Sequence, residues 1–415
     1  MSVSNKLGHE KEILLSVAYV PDSQSQPAAP RSLGVAALAG MVFAGQDLEP
    51  LWADLMARAT ASPADIGAML DLSTILQLVG RREEGLALQA DALAHSRLFR
   101  TIHGTGAGPS ILTMVTPGDM MANTPVDFLL KGSDAVVVHS LFLEAGRPSG
   151  AALPEHDLAI LAVGESDANA QLLRALATPL SGWPRPVLNG HAERVLALGR
   201  DRLPGVLEGA PGLMTPATRR VNRHAVAELS DLDFPVLARP VDSHAGNRLE
   251  KLDSPADLAR YLAAEPADHV YLTAFVDYRG ADGLFRKVRV AMIDGRPFIS
   301  HMAISEHWMV HYLNAGMAEK RAKRDEEAAM MASFDTSFAV RHADAFAALH
   351  ERIGLDYFAL DCGQTQDGRL LIFEADTAMI VHDMDPPDLY PYKGPAMRKL
   401  FAAFQAMVVR RTGLA

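Results

Sequence analysis

The chain has 415 residues, a net charge of -11 and a pI near 5.7. The acidic balance argues against a non-specific nucleic-acid binder, and one cysteine, Cys362, excludes an intrachain disulfide. Hydrophobic residues make up 49%, enough for the two or three packed domains expected at this length. The first residues lack a basic stretch followed by an apolar core. The longest apolar run, Leu33 to Ala44, is too short and too rich in Gly and Ala to span a bilayer. A soluble cytoplasmic protein without membrane association is expected.

Residues 1–31 are polar and proline-rich, a tail composition, with Leu14 to Val20 reading as a short strand. Residues 32–105 are expected to be helical. Asp47 caps one helix, and Ser62-Pro63-Ala-Asp65 opens a second. A glycine at 80 ends that helix, and Glu83 to Phe99 forms its partner. The pair resembles one tetratricopeptide unit without a second copy, so it packs on its own protein or on a second subunit. An exposed lone helical hairpin hints at a homodimer.

Residues 106–225 read as a small open α/β domain. Ile111 to Val115, Ala135 to Leu141, Asp157 to Val163 and Pro186 to Leu188 are short apolar runs of the buried parallel kind. Gly104-Thr-Gly-Ala-Gly108 precedes a strand instead of following one, so it is a connector and not a dinucleotide fingerprint.

Residues 226–415 hold the groups with chemistry. Phe234 to Arg239 is a strand delivering a cation into a loop of small residues, Ser243, His244, Ala245, Gly246 and Asn247. Such a loop lets backbone amides approach phosphate. The strand Val270 to Val276 contains Thr273 and Phe275 and ends in Asp277. Phe285 to Asp294-Gly295 reads as a hairpin arm with Lys287 and Arg289 on one face. A second hairpin, with a turn at Asp367-Gly368, sets Asp361 opposite Glu374, with Asp376 on the same face. Like charges opposed in this way destabilise a hairpin unless a cation neutralises them. Three hard oxygens suit Mg²⁺; a solvated acidic face is the alternative.

This order closely resembles the C-terminal half of the ATP-grasp superfamily, which includes glutathione synthetase, D-alanine–D-alanine ligase and the ribosomal-protein glutamate ligases. The thirteen-residue step from Asp361 to Glu374, then two to Asp376, matches the family's metal motif. The resemblance covers roughly residues 110–415 and implies α/β and α+β architecture: the α/β domain as the pre-ATP-grasp domain, and an ATP-grasp domain with antiparallel sheets. It implies ATP and two Mg²⁺ ions on Asp361, Glu374 and Asp376. Arg239 and the 243–247 loop would hold phosphates, Thr273, Phe275, Val276 and Asp277 the adenosine. Arg289, and more weakly Lys287, would stabilise the transferring phosphoryl group. The implied activity is an ADP-forming carboxylate–amine ligase acting through an acyl phosphate on small-molecule or peptide substrates. A small-molecule kinase of the same fold and a degenerate partner-binding scaffold are the alternatives. Three positions depart from the family pattern: Arg239 replaces a usual lysine, Asp376 a usual asparagine, and the phosphate loop is poorer in glycine.

His301, His307 and His311 crowd the stretch after the basic hairpin. Substrate contact, a metal pair on one helix face, and satisfied loop histidines all remain open. His382 follows the acids closely enough to reach the same cavity. Arg219, Arg220 and Arg223 read as a phosphate-contacting or solvated helix face. Glu319 to Glu327 reads as an exposed charged segment.

Overall fold

The computed structural model describes residues 28–147, 153–225, 232–243 and 246–414. The strand expected at Leu14 to Val20 lies outside them. Among the described residues no helix is long and apolar enough to cross a membrane. The architecture is mixed α/β, with three sheets combining parallel and antiparallel strands. Contacts group the described residues of 1–195, 377–386 and 398–415 into one compact unit, and those of 196–376 and 387–397 into a second. That division falls earlier than the boundary at 225/226 expected from composition, and the front helices share a unit with the sheet that follows them.

In the first unit, four helices come first: α1 (Val35–Phe43), α2 (Glu49–Ala59), α3 (Ile66–Leu78) and α4 (Arg82–His95). The α3 cap is Asp65, whose side chain accepts from the Ala68 amide at 3.2 Å. The expected Ser62 cap is one turn too early. Leu38, Leu55, Leu72 and Ile75 form a core joining α1, α2 and α3. Leu70, Ala92 and Leu93 turn the α3–α4 pair onto Phe99 and Phe142 of the adjoining sheet segments. The hairpin therefore packs on its own chain.

The segment Leu98–Gly104, expected as helix end and connector, is strand β1. It joins β2 (Ser110–Val115), β3 (Ala135–Phe142), β4 (Leu158–Leu161) and β5 (Val187–Leu188) in the order β1-β3-β2-β4-β5. β2 to β5 run parallel, as their unbroken apolar runs require, and β1 is antiparallel on the edge. Alternation on β1, with Phe99 and Thr101 inward, is the strand signal that the helical reading missed. A short helix α5 (Val126–Leu129) links β2 to β3, and α6 (Ala170–Ser181) links β4 to β5. Gly104 has φ +58°, and a Cβ there would lie 2.0 Å from the Asp134 carbonyl oxygen. Close backbone passage explains this glycine without a phosphate.

The second unit contains two sheets, one of which includes β6 (Leu213–Met214). One orders β7 (Thr218–Asn222), β10 (His269–Ala274), β8 (Val236–Pro240) and β9 (Glu250–Leu252). Arg219 and Arg220 thus lie on an edge strand and not on a helix. Helix α7 (Pro255–Ala264), capped by Ser254, packs Leu258 and Tyr261 against Val236, Ala238, Val270 and Leu272. The other sheet orders β12 (Arg296–Ser305), β11 (Phe285–Ile293), β13 (Tyr357–Gln364), β14 (Leu370–Asp376) and β6. Helices α8 (Arg321–Ser333) and α9 (Ala343–Ile353) lie in sequence between β12 and β13.

The β13–β14 hairpin has the expected pair, Asp361 opposite Glu374, by a different route. The strands end at Gln364 and Leu370, so the connection is longer than the two-residue Asp-Gly turn. Thr365 accepts from Gly368 and from the Arg369 amide. A bulge between Asp361 and Cys362 then restores the register.

Candidate functional site

Four strands of the second unit carry one row of functional side chains. His301 on β12 is paired with Arg289 on β11, Arg289 with Asp361 on β13, and Asp361 with Glu374 on β14. Lys287 lies two residues from Arg289 and Asp376 two from Glu374, so alternation puts both on the same face. The row exists because each strand offers a polar residue between buried apolar neighbours such as Val288, Val290, Leu360 and Cys362.

Asp361 is 1% exposed. Its Oδ1 accepts from Arg289 Nε at 2.8 Å. Its Oδ2 accepts from Lys287 Nζ at 2.7 Å and Arg289 Nη2 at 3.1 Å. Burial pushes this carboxyl up, but Arg289 and Lys287 outweigh it and hold it well below the usual carboxylate range. Glu374 receives a hydrogen bond from Arg200. The opposed acids are each bonded to cations of the protein, Asp361 to Arg289 and Lys287 and Glu374 to Arg200. Among the described residues no three His, Cys, Asp or Glu side chains gather into a cation site. The donors nonetheless fit Mg²⁺ in kind, as hard carboxylate oxygens on one face. Glu374 and Asp376 are both partly exposed, Glu374 with about a quarter of its side-chain surface open.

Arg239 at the end of β8 is buried, donating from Nε to Ser243 Oγ at 3.0 Å and from Nη2 to the Ser243 carbonyl. Ser243 Oγ in turn donates to the Pro240 carbonyl at 2.7 Å. Burial, and then the charge of Arg200, lower the Arg239 guanidinium to about 9. Two mutually repelling guanidinium groups favour an anion between or beside them. Ser243 is in place at the loop entrance, Gly246 and Asn247 at its exit, and His244 and Ala245 lie outside the described residues.

Thr273 Oγ1 lies 3.1 Å from Thr218 Oγ1. Phe275 packs edge-on to Trp308 with ring centroids 6.0 Å apart, and Lys251 Nζ sits 5.1 Å from its ring. Asp277 is engaged by Arg279 in the segment beyond β10, and Val276 is half-buried there. Cys362 is a buried thiol donating to the Val288 carbonyl, a packing residue as expected.

The histidines separate. His301 packs 4.8 Å from the Tyr312 ring, and burial, with Arg289 and Lys393 adding to it, pushes its imidazole far down, so it is neutral. His311 is also pushed down, by burial and then by Lys287 and Arg289. His307 is exposed, and residues 306–311 form no helix, so the paired-histidine metal arrangement is overturned. His382 groups with the first unit, its ring 6.3 Å from Phe43.

Three participants escaped the sequence reading. Arg200 lies far from Glu374 in the chain. Lys393 donates to Tyr312 Oη at 2.6 Å and lies over the Tyr312 and Tyr390 rings. Glu327, read as part of an exposed segment, is fully buried and accepts from Tyr312 Oη, Tyr392 Oη and the Met302 amide. Lys323, Glu327 and Met331 recur at helical spacing on the buried face of α8. That spacing was the available signal.

In comparison with solved structures, the chain is similar to a RimK domain ATP-grasp protein from Sphaerobacter thermophilus, at 15% identity over 72% of this chain and 98% of that one, with a TM-score of 0.41. It is similar to a D-alanine–D-alanine ligase from Bacillus anthracis, at 14% identity over 74% and 99%, with a TM-score of 0.43. It is also similar to the VanG D-Ala:D-Ser ligase from Enterococcus faecalis, at 12% identity over 72% and 99%, with a TM-score of 0.45. No protein-family model and no curated protein matches the chain.

Proposed function

We propose that the chain is an ATP-dependent ligase of the ATP-grasp type, joining a carboxylate to an amine. The observation that carries this reading is the in-register row His301, Arg289, Asp361, Glu374, with Lys287 and Arg200 bonded into it. The cations of β11 lie beside the paired acids of β13 and β14 on one sheet face, a surface suited to holding a polyphosphate and its counter-ion together.

Arg239 and Ser243 position the loop that receives the phosphates. Thr273, Phe275, Val276 and Asp277 receive the adenosine. Asp361 is a positioning residue that fixes the Arg289 guanidinium and the Lys287 ammonium by their hydrogen bonds. Arg289 then faces the charge that develops on a transferring phosphoryl group, and Lys287 assists. Such preorganised cations need no rearrangement at the moment of reaction. Asp361, Glu374 and Asp376 would hold Mg²⁺, which when bound supplies neutralisation of phosphate oxygens. His301, held neutral, presents a hydrogen-bonding imidazole beside Arg289 and not a further positive charge. Phosphorylating a carboxylate makes an acyl phosphate, and attack by the amine forms the C–N bond and releases phosphate.

The test is ADP release from Mg·ATP against pooled carboxylates and amines, with Glu374→Gln as control and nucleotide binding measured by calorimetry. Release that needs both partners and is lost in the control supports a ligase. A stable phosphorylated product without amine makes it a kinase. Neither release nor nucleotide binding returns the protein to the partner-binding reading.

A further inference from the structure

We propose that the first unit contains a binding site for a small apolar amine, in a cavity between its helical layer and the face of its sheet. The proposal is independent of the nucleotide reading, whose residues all lie in the other unit. The cavity measures about 340 Å³, at the small end of the range for ligand pockets.

Its floor is unusual for a sheet covered by helices. Thr101 on β1, Ser140 on β3 and Thr113 on β2 all line the cavity, and Ser140 is the register partner of Thr113. Thr101 and Thr113 are buried. A covered sheet face is expected to carry apolar residues, because burying hydroxyls costs hydration. Thr113 recovers part of that cost by donating to Ser140 Oγ at 3.1 Å. Thr124, in the loop after β2, does not. It is 5% exposed, lines the cavity, and among the described residues its hydroxyl has no hydrogen-bond partner. A buried hydroxyl without a partner destabilises the fold, and rotation of the Thr124 side chain toward the cavity would let a ligand group satisfy it.

The head group follows from charge. Asp127 lines the cavity, its Oδ2 accepting from the Val35 amide at 3.0 Å and its Oδ1 lying 3.2 Å from His103 Nε2. Arg82 is the one arginine or lysine in the lining, and it is mostly exposed and paired with Asp119 at 2.9 Å. A lining with a carboxylate and hydroxyls, whose one arginine is mostly exposed and already paired, selects an ammonium head over a carboxylate. The body follows from Leu70, Leu78, Phe99 and Phe142, with Met120 and Met121 offering adaptable contacts.

The experiment titrates the full chain calorimetrically with phenethylamine, 2-phenylethanol and phenylacetate, which share one apolar body. Phenethylamine is expected to bind saturably at one site, at least about tenfold more tightly than the other two. Asp127→Asn keeps an acceptor for Val35 and should weaken the amine about tenfold while leaving the alcohol unchanged. Thr124→Val should leave the fold intact and weaken the amine roughly threefold. Mg·ATP binding, measured on the same samples, should be unaffected by either substitution. No saturable heat from any of the three compounds would mean that the cavity holds only water and would overturn the proposal. Tightest binding by phenylacetate, or wild-type amine affinity in both variants, would overturn it equally.

Discussion

Among the described residues each unit buries one aspartate almost completely, and the two behave in opposite ways. Asp71 in the first unit and Asp361 in the second are both 1% exposed. Asp71 is held by neutral donors, the Ser32 hydroxyl at 2.6 Å and the Leu33 amide at 3.0 Å. Burial raises it to about 6 in spite of them. Asp361 is held by a guanidinium and an ammonium, and the same desolvation is overcome. Burial sets the size of the stakes, and the charge of the partner sets the sign. Asp71 ties the start of the helical layer to α3. Asp361 holds two cations, Lys287 and Arg289, on one sheet face.

The largest expected effect comes from removing the Asp361 carboxylate. Asp361→Ala removes the carboxylate bonded to both Lys287 and Arg289, which are mostly buried, and should cost about 3–5 kcal/mol in urea unfolding. A loss under about 1 kcal/mol would break the comparison. Asp71 should give a pH effect instead. Its folded value exceeds its unfolded one, so the native state binds more protons between about pH 4 and 6. Its contribution therefore falls as pH rises through that window, by about 3 kcal/mol from a difference of about two units. Urea unfolding from pH 4 to 7, wild type against Asp71→Asn, measures this, and an unchanged slope in the variant would contradict it. Asp361 should act oppositely and only at lower pH, since its depressed value means stability is lost as pH falls below its unfolded range. Next, Glu374→Gln should lower ADP release at least about a hundredfold, yet change stability by under about 1 kcal/mol because the Arg200 pair is partly solvated. The smallest effect is Ser32→Ala, which removes one donor to Asp71. It should cost about 1 kcal/mol and raise the Asp71 carboxyl further, read by thermal unfolding at two pH values.

Much of the second unit could be read from the chain because its elements are local and alternating. Period-two patterning put Lys287 with Arg289 and Asp361 with Glu374, and the register followed even though the turn was longer and a bulge made up the difference. Composition also identified the buried parallel strands of the first unit. The front region was less legible: β1 reads as helix when only its ends are weighed, and α1 hides in an apolar run of small residues.

The sequence alone therefore determined which residues share a strand face, because side-chain direction is fixed by neighbours two positions away. Tertiary structure alone decided which charges meet. Arg200 reaches Glu374, and Ser32 reaches Asp71, across stretches of chain whose path no local pattern encodes. Desolvation and pairing depend on everything packed around a group, so the same aspartate became a raised acid in one unit and a fixed anion in the other.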